Sequence, residues 1–264
     1  MPTALALGLA LLGGGVWGSF LGVLAVRIPG KTSIIHPGSR CDHCGTRLSP
    51  RDLVPFLSWI LLRGRCRTCH GRILPEVLLS EILTALFMGA TVLFAPSVLR
   101  GLLAAILFSF ALPLTMIDIR HHRLPHRLTL PCLAAGILAS GISRGPHGLI
   151  DALLGALLGF LPLALVAIFY PRGLGMGDAI WLAAIGAYTG PEALSLVLFV
   201  ASSTGIFATL LIYLYGLYKR SRTGSSLFSL AMPFGPFLSL GALTALLAPG
   251  FSRLINHILL EILP

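Results

Sequence analysis

Nine acidic residues stand against nineteen Lys and Arg in a chain of 264, so each carboxylate near an apolar stretch needs a reason to be there. Asp118 closes the run Leu114-Thr-Met-Ile-Asp118-Ile-Arg120, and Asp178 follows the glycines of Gly173-Leu-Gly175-Met-Gly177-Asp178. Two carboxylates held together in a partly dry site cannot both ionise easily and share a proton. That asymmetry suits peptide hydrolysis: one carboxylate draws a proton from water while the other carboxyl polarises the scissile carbonyl. Glycines ahead of the second acid let backbone approach an extended substrate. The acids alone leave other readings open. Asp178 can cap a helix, Asp118 can pair with Arg120, and intramembrane acids relay protons in transporters. Glu81, also near an apolar boundary, reads as supporting the site or reaching to the surface, and Asp151 and Glu192 as ordinary boundary residues.

A second constellation is sulfur. Cys41-Asp-His-Cys44 and Cys66-Arg-Thr-Cys69 are two C-x2-C knuckles separated by 21 residues. Each knuckle turns two thiolates toward one point, and two knuckles make a tetrahedral zinc site of four thiolates. Four thiolates leave no open coordination position, so the metal is expected to be structural. A lobe of this size has little core of its own, and the metal would supply its folding energy. His36, His43 and His70 read as solvated loop residues, and Cys132 as an apolar packing residue. Other chemistries lack their parts: no H-E-x-x-H, P-loop or G-x-S-x-G motif occurs.

The elements that must position these residues are apolar. Hydrophobic residues make up 56% of the chain and charged residues 11%, with mean hydropathy +0.91. Soluble domains carry roughly 25% charged residues. The expectation is an all-α polytopic membrane protein of about eight transmembrane helices with a zinc-binding cytoplasmic loop lobe. The spans read as 4–26, 77–95, 101–118, 128–143, 149–170, 178–190, 193–217 and 231–248, with the tail from Phe251 to Pro264 along the membrane surface. No Lys or Arg precedes Arg27, which favours a retained first helix over a cleaved signal. With the N-terminus outside, the segments 27–76, 119–127, 171–177 and 218–230 are cytoplasmic and hold sixteen of the nineteen Lys and Arg. The net charge of +10 is thereby explained without nucleic acid, although the segment 27–76 can touch anionic lipid heads. Both Asp118 and Asp178 fall at the cytoplasmic boundary. The chain divides into a first helix (1–26), a four-cysteine lobe (27–76) and a membrane peptidase domain (77–264).

In chain order these motifs resemble the bifunctional type IV prepilin leader peptidases and N-methyltransferases. The resemblance covers nearly the whole sequence. It rests on Gly18-Ser-Phe-Leu-Gly-Val-Leu-Ala-Val-Arg27-Ile-Pro29, the two knuckles, and Pro55-Phe-Leu-Ser-Trp59-Ile-Leu-Leu-Arg-Gly64-Arg-Cys66. It continues through Glu81-Ile-Leu-Thr-Ala, Ile117-Asp118, Leu124-Pro125, Leu128-Thr-Leu-Pro131, Gly175-Met-Gly177-Asp178 and Pro233-Phe-Gly-Pro-Phe-Leu-Ser-Leu-Gly241. Asp42, Leu53, Gly22, His126 and Ile180 depart from the usual pattern. The resemblance implies a membrane aspartic protease of the bacterial inner membrane with Asp118 and Asp178 as its catalytic acids. Its substrates are prepilins or pseudopilins, cut after a Gly. The new N-terminus is then methylated from S-adenosylmethionine, an activity associated with the cysteine lobe. No G-x-G-x-x-G turn in a strand–helix setting marks a donor site. A presenilin-like or preflagellin-type protease would lack the cysteine lobe and the Pro-Phe-Gly-Pro signature. A zinc-stabilised transporter or scaffold would use its acids only structurally.

Overall fold

The computed structural model describes residues 2–36, 38–41, 43–170, 174–218 and 232–250. The expected surface tail, most of the basic segment 218–230, Arg172 and Asp42 lie outside these residues. Among the described residues there is no strand, only isolated bridges between Arg40 and Arg47 and between Arg65 and Arg72. The helices are α1 (Pro2–Arg27), α2 (Leu57–Leu61), α3 (Pro75–Phe94), α4 (Val98–His121), α5 (His126–Phe169), α6 (Met176–Thr189), α7 (Leu194–Tyr218) and α8 (Gly235–Leu247). Five described helices are long and apolar enough to cross a membrane: α1, α3, α4, α5, and α7 with the short turn before it. The protein is thus an all-helical, multi-pass membrane chain, with α6 (14 residues) and α8 (13 residues) as shorter apolar helices.

The chain divides into two compact units between Gly101 and Leu102. In the first, α1 packs antiparallel on α3 through glycines one turn apart. Gly14 faces Thr84 and Ala85, Gly18 faces Ser80 and Glu81, and Gly22 faces Ser80 and Val77. A Cβ at Gly18 would stand 2.7 Å from Glu81 Cα, so only glycine permits this approach. Small residues at every fourth position are how apolar helices gain contact where lipid competes for every hydrophobic surface. Gly22 has no room for a side chain unless the Ser80 hydroxyl moves, since a Cβ there would lie 2.7 Å from it.

In the second unit α5 has 44 residues, about 66 Å if straight at 1.5 Å per residue, twice a hydrocarbon core. It is not straight. Gly145, with φ 66 and ψ −153, interrupts it just before Pro146. Ahead of the first arm Leu124 lies on Gly177 at the start of α6, and Gly136 within that arm lies on Tyr188 at its end. On the second arm the order reverses, Gly155 meeting Gly186 and Gly159 meeting Leu182. The arms therefore form a hairpin that clasps α6, and the ranges read from sequence as 128–143 and 149–170 fall on the two of them. Arg144 and Asp151 pair across the bend at 3.8 Å. Helix α6 stops at Gly190, whose φ of 80 closes it before Pro191. Helix α8 lies close on α7, where a Cβ at Gly241 would meet Val197 Cα at 3.0 Å.

Candidate active site and metal centre

Asp118 sits one turn from the end of α4 and is 4% exposed. Its Oδ2 accepts the backbone N–H of Gly235, the first residue of α8, at 2.9 Å. A Cβ at Gly235 would be 2.8 Å from that oxygen and 3.1 Å from Leu124 Cδ2. Glycine is therefore required for the close approach. Asp178 is the third residue of α6, and its Oδ2 accepts the Gly175 N–H at 3.2 Å. The capping role left open by the sequence is thus present, within the first turn that carries the acid. Gly177 abuts Leu124, a Cβ there standing 3.0 Å from Leu124 Cβ. Leu124 is therefore wedged between Gly177, beside Asp178, and Gly235, beside Asp118. Sixty positions apart in sequence, the two acids are thus brought to the two sides of one leucine. Two carboxylates so placed, each with one oxygen held by a backbone N–H, can divide a proton between them and activate a water.

Glu81 does not reach to a surface. It is 6% exposed and accepts the Phe56 N–H at 2.8 Å, tying the loop between the knuckles to α3 in the first unit. Phe56 there has φ 60 and ψ −53, a positive-φ conformation that a non-glycine residue adopts only under constraint.

The four knuckle cysteines converge. Their Sγ atoms all lie within 4.8 Å of one another, with Cys41–Cys69 at 3.7 Å and Cys44–Cys66 at 4.0 Å. Tetrahedral Zn–S bonds of about 2.3 Å would set sulfurs about 3.8 Å apart, whereas a disulfide needs about 2.05 Å. The knuckles repeat each other. Cys41 N–H donates to Thr46 O at 3.0 Å and Cys66 N–H to Gly71 O at 2.8 Å. Gly45 and His70, each four residues past the first cysteine, take φ 69 and 55. The Thr46 hydroxyl and backbone N–H bring the Cys44 thiol down to about 6. The backbone N–H groups of Cys69 and Thr68 lower Cys66. Cys69 has a favourable Gly71 N–H, yet lost hydration and the three neighbouring thiols push it up to about 12. Four thiolates cannot crowd together without a metal between them. His43 lies against the second knuckle, its Nε2 3.3 Å from Arg72 O, and Cys132 is fully buried in α5.

Three features were not singled out in the sequence. The Gly14-x3-Gly18-x3-Gly22 period was there to be seen. Gly235 was visible only as part of the Pro-Phe-Gly-Pro resemblance. The contact between Trp181 and Ser239, 3.2 Å, had no sequence signal, because 58 residues separate them.

Two family profiles match the chain, one on each side of the boundary between Gly101 and Leu102. The profile of the Bacterial Peptidase A24 N-terminal domain matches residues 12–95, and that of the Type IV leader peptidase family matches residues 105–210. The chain is 33% identical over 261 residues to the type 4 prepilin-like proteins leader peptide-processing enzyme of Escherichia coli O78:H11, covering 90% of this chain and 92% of that one. The chain belongs to the type IV leader peptidase family. Prepilin leader peptidase/N-methyltransferases of Pectobacterium carotovorum subsp. carotovorum and Aeromonas hydrophila are 38% and 37% identical. They cover 82% and 81% of this chain and 76% and 73% of their own lengths. No solved structure matches. In family terms, the first profile takes in α1 from residue 12 onward, the cysteine knuckles and α3, and the second takes in both acids.

Proposed function

We propose that this chain removes the basic leader of type IV prepilins or pseudopilins after a Gly, with Asp118 and Asp178 as the catalytic pair, and methylates the new N-terminus. The observation that carries the reading is the geometry around the two carboxylates: they come from distant helices, each is steadied by a backbone N–H, and one leucine packs on the glycine beside each. In the reaction the ionised member takes a proton from water and the hydroxyl adds to the scissile carbonyl, whose oxygen the protonated member polarises. The tetrahedral carbon then expels the amine, the C–N bond breaks and the amine leaves with a proton. Leu124, wedged between the glycines beside both acids, would restrict water at the site.

Zinc is the metal we assign to Cys41, Cys44, Cys66 and Cys69, as a structural ion with its coordination filled by thiolates. The methyl donor, S-adenosylmethionine, supplies an electrophilic methyl for the freed amine. An open cleft beside Cys66, lined by Leu61, Leu62, Arg63, Arg65, Arg67 and His70, offers guanidinium groups for the donor's carboxylate.

We read eight crossings: α1, α3, α4, the two arms of α5, α6, α7 and α8. The N-terminus is outside and the acids are at the cytoplasmic face of the bacterial inner membrane, as the Lys and Arg distribution favours. The organisation is a first helix (1–26), a metal lobe (27–76) against the lipid heads and a peptidase domain (77–264). Purified protein in detergent, mixed with a prepilin with and without S-adenosylmethionine and read by intact mass, tests the reading. Leader loss, and then the mass of one added methyl group, is expected. A folded, metal-loaded protein that cleaves no prepilin would overturn it.

A further inference from the structure

The contacts that hold Asp118 extend beyond Gly235. The Gly235 N–H reaches Asp118 Oδ2 at 2.9 Å, and the Gly235 carbonyl accepts the Ser239 hydroxyl at 2.8 Å. The Ser239 oxygen accepts the indole N–H of Trp181 at 3.2 Å. All of these groups are buried: Trp181 completely, Ser239 to 5% exposure. Trp181 lies three residues after Asp178 on α6, and Ser239 four after Gly235 on α8. One hydrogen-bonded line therefore runs from the helix that carries Asp178, through the first turn of α8, to the carboxylate of Asp118.

A serine inside a helix often bonds back to the carbonyl four residues earlier and does nothing more. The indole changes that here. Its nitrogen can only donate, so the Ser239 oxygen must accept, and the hydroxyl proton is committed to Gly235. Gly235 is then gripped through both adjoining peptide units, its carbonyl by Ser239 and its N–H by Asp118. Pro236 follows and stiffens the same turn. A buried line in which every member is satisfied holds its parts in one geometry.

We infer that Trp181 and Ser239 are positioning residues for the reaction. They tie α6 to the Gly235 peptide on which Asp118 rests, and so fix the spacing of the two acids. The inference rests on the proposed roles of Asp118 and Asp178, and the test keeps the two apart.

Trp181→Phe, Ser239→Ala and the double variant are compared with Asp118→Asn in detergent. Four quantities are read: kcat and KM for leader cleavage, methylation of a pre-cleaved pilin, and thermal melting. Each single variant should lose on the order of 10-fold in kcat, the scale expected when reacting groups are slightly misplaced. KM and methylation should hold, melting should fall modestly because a buried contact is removed, and the double variant should be no worse in kcat than the weaker single one, because both changes cut the same line. Wild-type kcat in both single variants, with Asp118→Asn dead, overturns the positioning role and leaves the acid pair standing. Losses of kcat that only track losses of melting or methylation also overturn it, because they report folding. Cleavage by Asp118→Asn removes the acid pair and this inference with it.

Discussion

The two units of the chain hold their functional groups by opposite means. In the second, the acids lie among packed helices, and main-chain atoms steady them: Gly235 N–H for Asp118, Gly175 N–H for Asp178. In the first, the sulfurs lie in a short, largely exposed loop. Cys44 and Cys69 are exposed and Cys41 and Cys66 buried, with turns rather than long helices between them. A rigid bundle can fix two carboxylates without help. A small lobe with almost no core would depend on a bound metal. The peptidase half should therefore respond sharply to single atoms at the site, and the lobe should respond to loss of the ion as a whole.

The largest effect expected is at the acids. Asp118→Asn or Asp178→Asn keeps the shape and removes the ionisable pair, and cleavage should fall by at least about 10³-fold, the scale seen when a catalytic member is lost. Melting should change little. Retention of cleavage by either variant would break the comparison at its strongest point.

Removal of the metal comes next. Structural zinc in small domains contributes about 10–16 kcal/mol of apparent binding energy, as large as the whole stability of an ordinary domain. A strong chelator, or Cys41→Ser with Cys44→Ser, should release one zinc per chain by metal analysis. It should also open the segment between the knuckles to protease and abolish methylation while the larger part of cleavage survives. Cleavage and methylation lost together would show that the bundle leans on the lobe after all.

How much of this was legible in the sequence follows from the same contrast. The convergence of the four cysteines was fully so, because two C-x2-C pairs state a geometry within a few residues. The two acids stood out because carboxylates are rare in so apolar a chain. The surroundings of Asp118 did not, since Gly235 is 117 residues away and a backbone N–H leaves no mark on composition. The hairpin in α5 was read as two segments because Arg144, Gly145 and Pro146 interrupt the apolar run. Its antiparallel clasp on α6 depends on contacts of Gly136, Gly155 and Gly159 that no local period reveals. Glu81 read two ways because burial decides between them, and only packing against α1 supplies it.

Helix packing gives a third, smaller contrast. Gly18→Leu places a side chain where even a Cβ would be 2.7 Å from Glu81 Cα, and Gly159→Leu does the same 2.7 Å from Leu182 O. Overpacking of this kind costs about 1–3 kcal/mol, to be read as a lower melting temperature. The two should differ in function. Gly18→Leu disturbs the seam that holds Glu81 and the loop and should reduce methylation more than cleavage. Gly159→Leu pushes on the helix of Asp178 and should reduce cleavage more. Equal effects on both activities would mean that the units do not work separately.

The smallest effect concerns the lobe's own ion pair. Asp52 accepts from the Ser49 hydroxyl at 2.6 Å and meets Arg67 at 2.9 Å, and these hold its carboxyl below the ordinary 3.8, with Ser49 the larger influence. A carboxyl lowered by folding stabilises fully above its unfolded value and loses that contribution as pH falls through the folded one. Asp52→Asn should therefore lower lobe stability by less than about 1 kcal/mol at neutral pH, the worth of an exposed pair. The gap to wild type should stay flat from pH 7 to pH 5 and close only below 3.8. Acid also strips thiolate-bound metal, but from both proteins alike, so the difference between their melting curves remains the readout. A gap that closes by pH 6 would have to come from another group, and would remove Asp52 from the contacts that shape the loop.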